Sequence, residues 1–343
     1  MEYETTMAQQ ATILGDGQMA LVLSDVLIEN GMHVRMWCPV KKTAEVLSQS
    51  RVSDRLPNFT LDKKVEVVDD DASALQGAEL VVNAIPTQFV RSVWERVGGN
   101  CPLGVPVACV SKGIEIQTLL RPSEIIEQAV DSAGGGRPRV CALSGPTIAS
   151  ELAEHKPATL VAASADADVA AFVQASFLVK WLRVYKQADL IGVELAGATK
   201  NIIALAAGMI DGLQLGDNAK SALLARGLAE IARLGVAMGA RVETFFGIAG
   251  VGDLATTCFS PFGRNRTCGE RLGRGESLES IHASTNSVIE GVSTTESVSQ
   301  LASQISVEMP ITEAVHQVLF GGVDPLEGAR ALMLREVDSE EIG

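Results

Sequence analysis

Thr12-Ile13-Leu14-Gly15-Asp16-Gly17-Gln18-Met19-Ala20, running on into Leu21-Val22-Leu23, is the stretch that decides the fold. A short apolar strand is followed by two glycines, Gly15 and Gly17, and then by an apolar-periodic helix reaching Asn30-Gly31, where glycine can close the C-terminus. Strand, glycine turn and helix in that order form the fingerprint of a dinucleotide-binding unit. Gly15 makes the turn, Gly17 lets backbone N–H groups approach a pyrophosphate, and the helix start at Gln18, Met19 and Ala20 favours its charge. A tight turn without a ligand has the same local pattern, so the rest of the chain must decide between them.

Outward from that turn, Val34-Arg35-Met36-Trp37 reads as a second strand. Further apolar runs follow at 80–85, 105–110 and 140–143, separated by helix-like segments, and Val179 to Tyr185 supplies a last one. This alternation predicts an α/β fold with a Rossmann-like, doubly wound parallel sheet over residues 1–188. From about Asp189 the pattern becomes Ala-, Leu- and Gly-rich with helical periodicity, which predicts an all-helical domain over 189–343.

A chain of 343 residues with 47% hydrophobic content can bury a full core and favours two domains. A formal charge of −14 argues against general nucleic-acid or anionic-membrane binding, which needs a positive field over a broad face. An anionic substrate must therefore meet a local cationic patch. The six cysteines form no Cys-x-x-Cys pair and several lie in apolar runs, so they read as reduced core thiols. The four histidines lack ligand spacing, and no metal site is assigned. The acidic start and the absence of a run of ~18 apolar residues predict a cytoplasmic protein without membrane insertion.

Lys200 is the one cation in the apolar stretch Gly192 to Gly208. Either it snorkels from a helix edge into water, or it is desolvated, in which case its pKa falls towards neutrality and it can pass a proton. Lys112, in Ser111-Lys112-Gly113, and the turn Ser144-Gly145-Pro146-Thr147-Ile148-Ala149 each follow a buried strand and so emerge at the carboxyl edge of the sheet, where doubly wound folds bind ligands. Asp253 follows a glycine-rich turn and either caps a helix or pairs with Lys200. Gly263-Arg264-Asn265-Arg266 is either a phosphate clamp or a solvated basic loop. After the second strand the chain offers Trp37-Cys38-Pro39-Val40-Lys41-Lys42 in place of an acidic residue for the ribose hydroxyls, which allows NADP beside NAD.

With these motifs go Gly192-Val193-Glu194-Leu195 through Lys200-Asn201, Asp211-Gly212-Leu213, Gly216-Asp217-Asn218-Ala219-Lys220, Arg226-Gly227-Leu228-Ala229-Glu230, Gly250-Val251-Gly252-Asp253-Leu254, Val288-Ile289-Glu290-Gly291 and Glu308-Met309-Pro310-Ile311. As an ordered set covering nearly the whole chain, they resemble the bacterial-type NAD(P)-dependent glycerol-3-phosphate dehydrogenases. The resemblance implies reversible reduction of dihydroxyacetone phosphate to sn-glycerol 3-phosphate, with Lys200 as proton donor or acceptor. It implies that Lys112, Gly145, Thr147, Asp253, Arg264 and Asn265 contact the substrate. On the cofactor side it places Ala149, Arg264, Val288 and Glu290, with Gly15, Gly17, Gln18, Met19, Ala20 and Lys112. It further implies a homodimer that supplies glycerophospholipid synthesis. Asp253 and Asn201 are expected to orient the ammonium group, and Lys112 to add positive potential. Asp16, Gln18, Met19 and Ala20 depart from the family's usual Gly-Ala-Gly-Ser-aromatic-Gly loop; Gly263 stands where a serine is common, and Thr147 keeps the hydroxyl of the usual serine. A 2-hydroxyacid, opine or ketopantoate reductase would share the fold and a lysine but would not need the Arg264-Asn265-Arg266 clamp. A nucleotide-sensing protein without turnover is the non-enzymatic alternative.

Overall fold

The computed structural model describes residues 10–285 and 287–336, and the chain divides into two compact units. One runs to Ser111 and resumes over Pro122–Leu190; the other takes Lys112–Arg121 and everything from Ile191.

The first unit holds an eight-stranded sheet. Its strands are β1 (Gln10–Leu14), β2 (His33–Trp37), β3 (Glu66–Val68), β4 (Leu80–Asn83), β5 (Pro106–Cys109), β6 (Arg139–Ser144), β7 (Ala158–Ala163) and β8 (Leu182–Gln187). Its helices are α1 (Gln18–Glu29), α2 (Lys41–Ser50), α3 (Thr87–Val97), α4 (Pro122–Ser132), α5 (Ala149–Ala153) and α6 (Ala167–Phe177). The spatial order is β3-β2-β1-β4-β5-β6-β7-β8, parallel throughout except for β6 against β7. β1 lies between β2 and β4, with Ile13 opposite both Met36 and Val82. The chain winds outward in both directions from β1 and β4, so their carboxyl ends form the topological switch point of a doubly wound sheet. The core strands are apolar on both faces, as a sheet covered on both sides requires.

Two strands escape the sequence reading. β3 has three residues in a charged neighbourhood, Asp62-Lys63-Lys64 before it and Asp69-Asp70-Asp71 after it, and pairing with β2 alone makes it a strand. β7 is alanine-rich and carries little strand propensity; pairing on both sides, with β6 and β8, overrides that.

The second unit is helical among its described residues: α7 (Leu190–Gly212), α8 (Asp217–Ala237), α9 (Val242–Phe245), one π-helical turn at Ile248–Gly252, α10 (Asp253–Phe259), α11 (Arg264–Gly273), α12 (Leu278–Ala283), α13 (Glu290–Gln304), α14 (Pro310–Phe320) and α15 (Pro325–Met333). α7 is the central element, with Gly192 to Met209 buried without interruption. Contrary to the sequence reading, α7 does have the length and apolar character of a membrane span, but 89% of its apolar window is buried inside the protein, as in a core helix. Each unit has its own hydrophobic core. Ile114 and Leu119 belong to the helical one, which is why Lys112–Arg121 leaves the sheet unit; burying Ile114 alone is worth about 1.5–3 kcal/mol. All six cysteines are buried thiols.

Candidate active site

Lys200 is 6% exposed, so the desolvated alternative holds and the snorkelling one does not. Its ammonium donates to Asp253 Oδ1 and, at 2.6 Å, to Thr257 Oγ1. Lys112 Nζ donates to the other carboxylate oxygen of Asp253 at 2.6 Å. One carboxylate thus bridges two ammonium groups, and the trio carries a net positive charge in a buried setting, which suits a developing anion. Burial pushes the Lys200 amine down to about 8; Lys112 reinforces this and Asp253 opposes it. Burial would raise the Asp253 carboxyl, but Lys112 and Lys200 together outweigh it and hold the carboxyl below its usual range. Asp253 is the first residue of α10, and its carboxylate accepts from Lys112, Lys200 and the Thr257 hydroxyl, so it pairs with the lysines and does not cap.

Asn201 does not orient the ammonium as expected. Its Nδ2 donates to the Lys112 backbone carbonyl at 3.4 Å, because the next residue on a helix points about 100° away from its neighbour. Thr257 takes the expected role. It lies one turn after Asp253, and its hydroxyl donates to the Asp253 carbonyl at 2.7 Å while accepting from Lys200. The i+4 spacing from Asp253 was the available signal.

Helix α11, which Arg264 begins, is set against α7 by close helix packing. Gly208 and Gly212 on α7 meet the backbone of Arg266 and Glu270 on α11, while Gly269 and Gly273 meet that of Leu205 and Met209; no Cβ fits at any of the four. The two helices run parallel there, with Leu205 against Gly269 and Met209 against Gly273. Carried back along both helices, the same register puts Arg264 level with Lys200 and Asn265 level with Asn201. Gly291 confirms it, since a Cβ there would lie 2.8 Å from both Asn201 O and Asn265 Oδ1. The Gly291 N–H donates to Asn265 Oδ1 at 2.9 Å, which fixes the orientation of the Asn265 amide. Arg264 Nη1 donates to Val288 O at 3.1 Å, and Glu290 opens α13 beside them. Arg266 does not share this face: it is spent on Asp211 at 2.5 Å, which also holds Lys220, and on Glu270 at 3.4 Å. Arg264 and Arg266 therefore do not act together, because the next-but-one helical position faces elsewhere.

In the sheet unit, Gly15 has φ +115, and a Cβ there would sit 2.9 Å from Ala84 O, so the β1 and β4 ends pack too tightly for a side chain. Gly17 is different. Its φ of −73 suits any residue, and a Cβ would meet nothing within 4 Å. The protein itself does not demand a glycine there; the close approach of a ligand would. Gly17 places no side chain on the first N–H groups of α1, at Gln18, Met19 and Ala20, and the N-terminus of a helix is a setting that suits an anion. Asp16, an awkward neighbour for a diphosphate, is buried and 3.9 Å from Arg55, whose carbonyl accepts from Gln18 Nε2 at 2.6 Å. Nothing in the spacing of Arg55 announced this. Lys41 and Lys42 begin α2 as exposed residues.

Gly145, Thr147 and Ala149 also lie in the sheet unit, after β6. Gly145 has φ +148, Thr147 Oγ1 donates to Gly145 O at 3.2 Å, and Ala149 starts α5. Ser111, at the β5 end, accepts from Asn83 Nδ2 at 2.7 Å and donates to Ile85 O, which fixes the chain just ahead of Lys112.

Models of the NAD-dependent glycerol-3-phosphate dehydrogenase N-terminus and C-terminus match residues 10–170 and 189–330. The chain is 43% identical over 328 residues to the NAD(P)+ glycerol-3-phosphate dehydrogenase of Bacillus pumilus, covering 95% of this chain and 94% of that one. It is 41% identical over 335 residues to the second such enzyme of Mycobacterium tuberculosis, covering 97% and 99%. The crystal structure of glycerol-3-phosphate dehydrogenase from Coxiella burnetii aligns with a TM-score of 0.90 at 32% identity, over 95% of this chain and 99% of that one. A ketopantoate reductase family structure from Ralstonia eutropha, at 15% identity and a TM-score of 0.55, shares the fold alone.

Proposed function

The chain belongs to the NAD-dependent glycerol-3-phosphate dehydrogenase family, and from that premise we infer that it reversibly reduces dihydroxyacetone phosphate to sn-glycerol 3-phosphate with NADPH or NADH. The observation that carries this reading is the buried Lys200 ammonium, held by Asp253 and Thr257 beside a second cation, Lys112.

The nicotinamide, when bound, supplies hydride to C2 of the substrate. Lys200 stabilises the charge that gathers on the C2 oxygen and hands it the proton from Nζ; in oxidation it takes that proton back. Asp253 and Thr257 fix the direction of Nζ, and Lys112 adds positive potential. Arg264 and the Asn265 amide N–H groups hold the phosphate, whose binding energy positions the reacting carbon. Gly145 and Thr147 complete the substrate contacts. Gly15, Gly17, Gln18, Met19 and Ala20 receive the pyrophosphate, with Lys112, Ala149, Arg264, Val288 and Glu290 on the cofactor. In this reading residues 1–188 bind NAD(P) and 189–343 bind substrate, with Lys112 the catalytic contribution from the first stretch. The enzyme works as a cytoplasmic homodimer that feeds glycerophospholipid synthesis, and its charge of −14 keeps it off nucleic acid.

The test is turnover of dihydroxyacetone phosphate with each reduced cofactor, followed by absorbance, in the parent and in Lys200→Ala. The variant should lose at least about 10²-fold in kcat while its cofactor dissociation constant stays put. No turnover by the parent rejects the reaction; near-normal turnover by the variant removes Lys200 from it.

A further inference from the structure

Within the buried run Gly192 to Met209 of α7, three polar side chains reach partners on other elements: Glu194, Lys200 and Asn201. Thr199 bonds back to its own helix at Leu195 O. Lys200 goes to Asp253. The other two both go to the segment Lys112–Arg121: Asn201 to the carbonyl of its first residue, Glu194 to the guanidinium of its last. Glu194 and Asn201 are seven residues apart, two helical turns, and so lie on one side of α7.

The segment between these two points is folded on itself. Glu115 N donates to Leu120 O at 3.0 Å, Leu119 N to Glu115 O at 2.9 Å, and Ser297 of α13 donates to Ile114 O at 3.0 Å. A compact loop fastened at both ends transmits a displacement of one end to the other. The Arg121 and Glu194 side chains are only 10% and 2% exposed, and a buried ion pair is a poor source of stability compared with apolar side chains of the same volume. Its position calls for a different account.

We propose that the Arg121–Glu194 ion pair is a positioning element for the reaction, clipping Lys112–Arg121 along α7 so that the Lys112 ammonium stays on Asp253 beside Lys200. The proposal rests on the catalytic reading of that lysine cluster. The groups that face Lys200 are Asp253, Lys112 and Cys258, whose thiol burial pushes up to about 12 and so keeps neutral. If the clip opens, Lys112 drifts from Asp253, the repulsion acting on Lys200 falls, and Lys200 binds its proton more tightly.

The test uses Arg121→Met/Glu194→Leu, which removes both charges of the pair, together with Glu194→Gln, Lys112→Ala and the parent. Two readouts are taken. Trace acetylation of Lys112, measured by peptide mass, should rise several-fold in both clip variants, and this does not depend on what Lys200 does. The pH limb of kcat/KM should move to higher pH, in the direction of Lys112→Ala, with kcat lower by about 10-fold or more. A folded clip variant with parental labelling and a parental limb overturns the proposal. Failure of both clip variants to fold assigns the pair to folding and overturns it equally. Raised labelling with no kinetic effect of Lys200→Ala faults the catalytic reading and leaves the clip standing.

Discussion

A lysine buried in an apolar helix loses its hydration, so its charged form is disfavoured unless carboxylates compensate. At Lys200 burial is the larger influence, Lys112 works with it, and Asp253 offsets only part, so the amine titrates at about 8. Reduction needs the ammonium form; kcat/KM for dihydroxyacetone phosphate should therefore fall as pH rises through about 8. Oxidation needs the neutral amine and should rise through the same point. In Lys112→Ala the lowering contribution of the second cation is gone, and both limbs should shift to higher pH. Steady-state profiles in the two directions check this, and unmoved limbs would separate Lys112 from Lys200 electrostatically. Cys258 lies close enough to feel Lys200, yet its thiol is pushed up to about 12 by burial, which keeps it protonated at neutral pH.

Between α7 and α11 the glycines decide more than local conformation. Replacing glycine by alanine within a helix normally stabilises by about 1 kcal/mol. At Gly269 the new methyl would run into the Leu205 carbonyl, a backbone atom that cannot swing aside. Overpacking of this kind costs typically ~1–3 kcal/mol, so the sign reverses. Gly269→Ala should lower the melting temperature by several degrees and, because it pushes Arg264 away from the level of Lys200, raise KM for the phosphorylated substrate. A variant more stable than the parent with unchanged KM would show that the register does not set that spacing. A different tertiary device appears at α14, whose first N–H groups, Ile311 and Thr312, donate to the Glu230 carboxylate of α8 at 2.8 Å each. Helix α14 is thus capped from another element, and no residue beside Met309-Pro310 could have revealed it.

Over the whole molecule, a charge of −14 coexists with anionic ligands because the cations are gathered locally: Lys112 and Lys200 on one carboxylate, Arg264 at the head of α11. The end of β2 carries no carboxylate, and Lys41 and Lys42 stand exposed at the start of α2, which favours a ribose phosphate. NADPH should be the better cofactor, read as the ratio of kcat/KM values; a clear preference for NADH would contradict it. The sequence by itself determined the α/β half, the helical half and the switch-point turn, because hydrophobic period and a strand-glycine-helix order are local properties. It also supplied the residue types of the site, Lys112, Lys200, Asp253 and Arg264. Only the tertiary structure decided that Asp253 bridges both lysines and does not cap α10, that Arg266 turns to Asp211 and away from Arg264, that Asn201 serves Lys112, and that Lys112–Arg121 goes with the helices. Each of those outcomes depends on which groups meet across distant stretches of chain, where burial and the pairing of buried charges select the partner, and neither is written in the spacing along one segment.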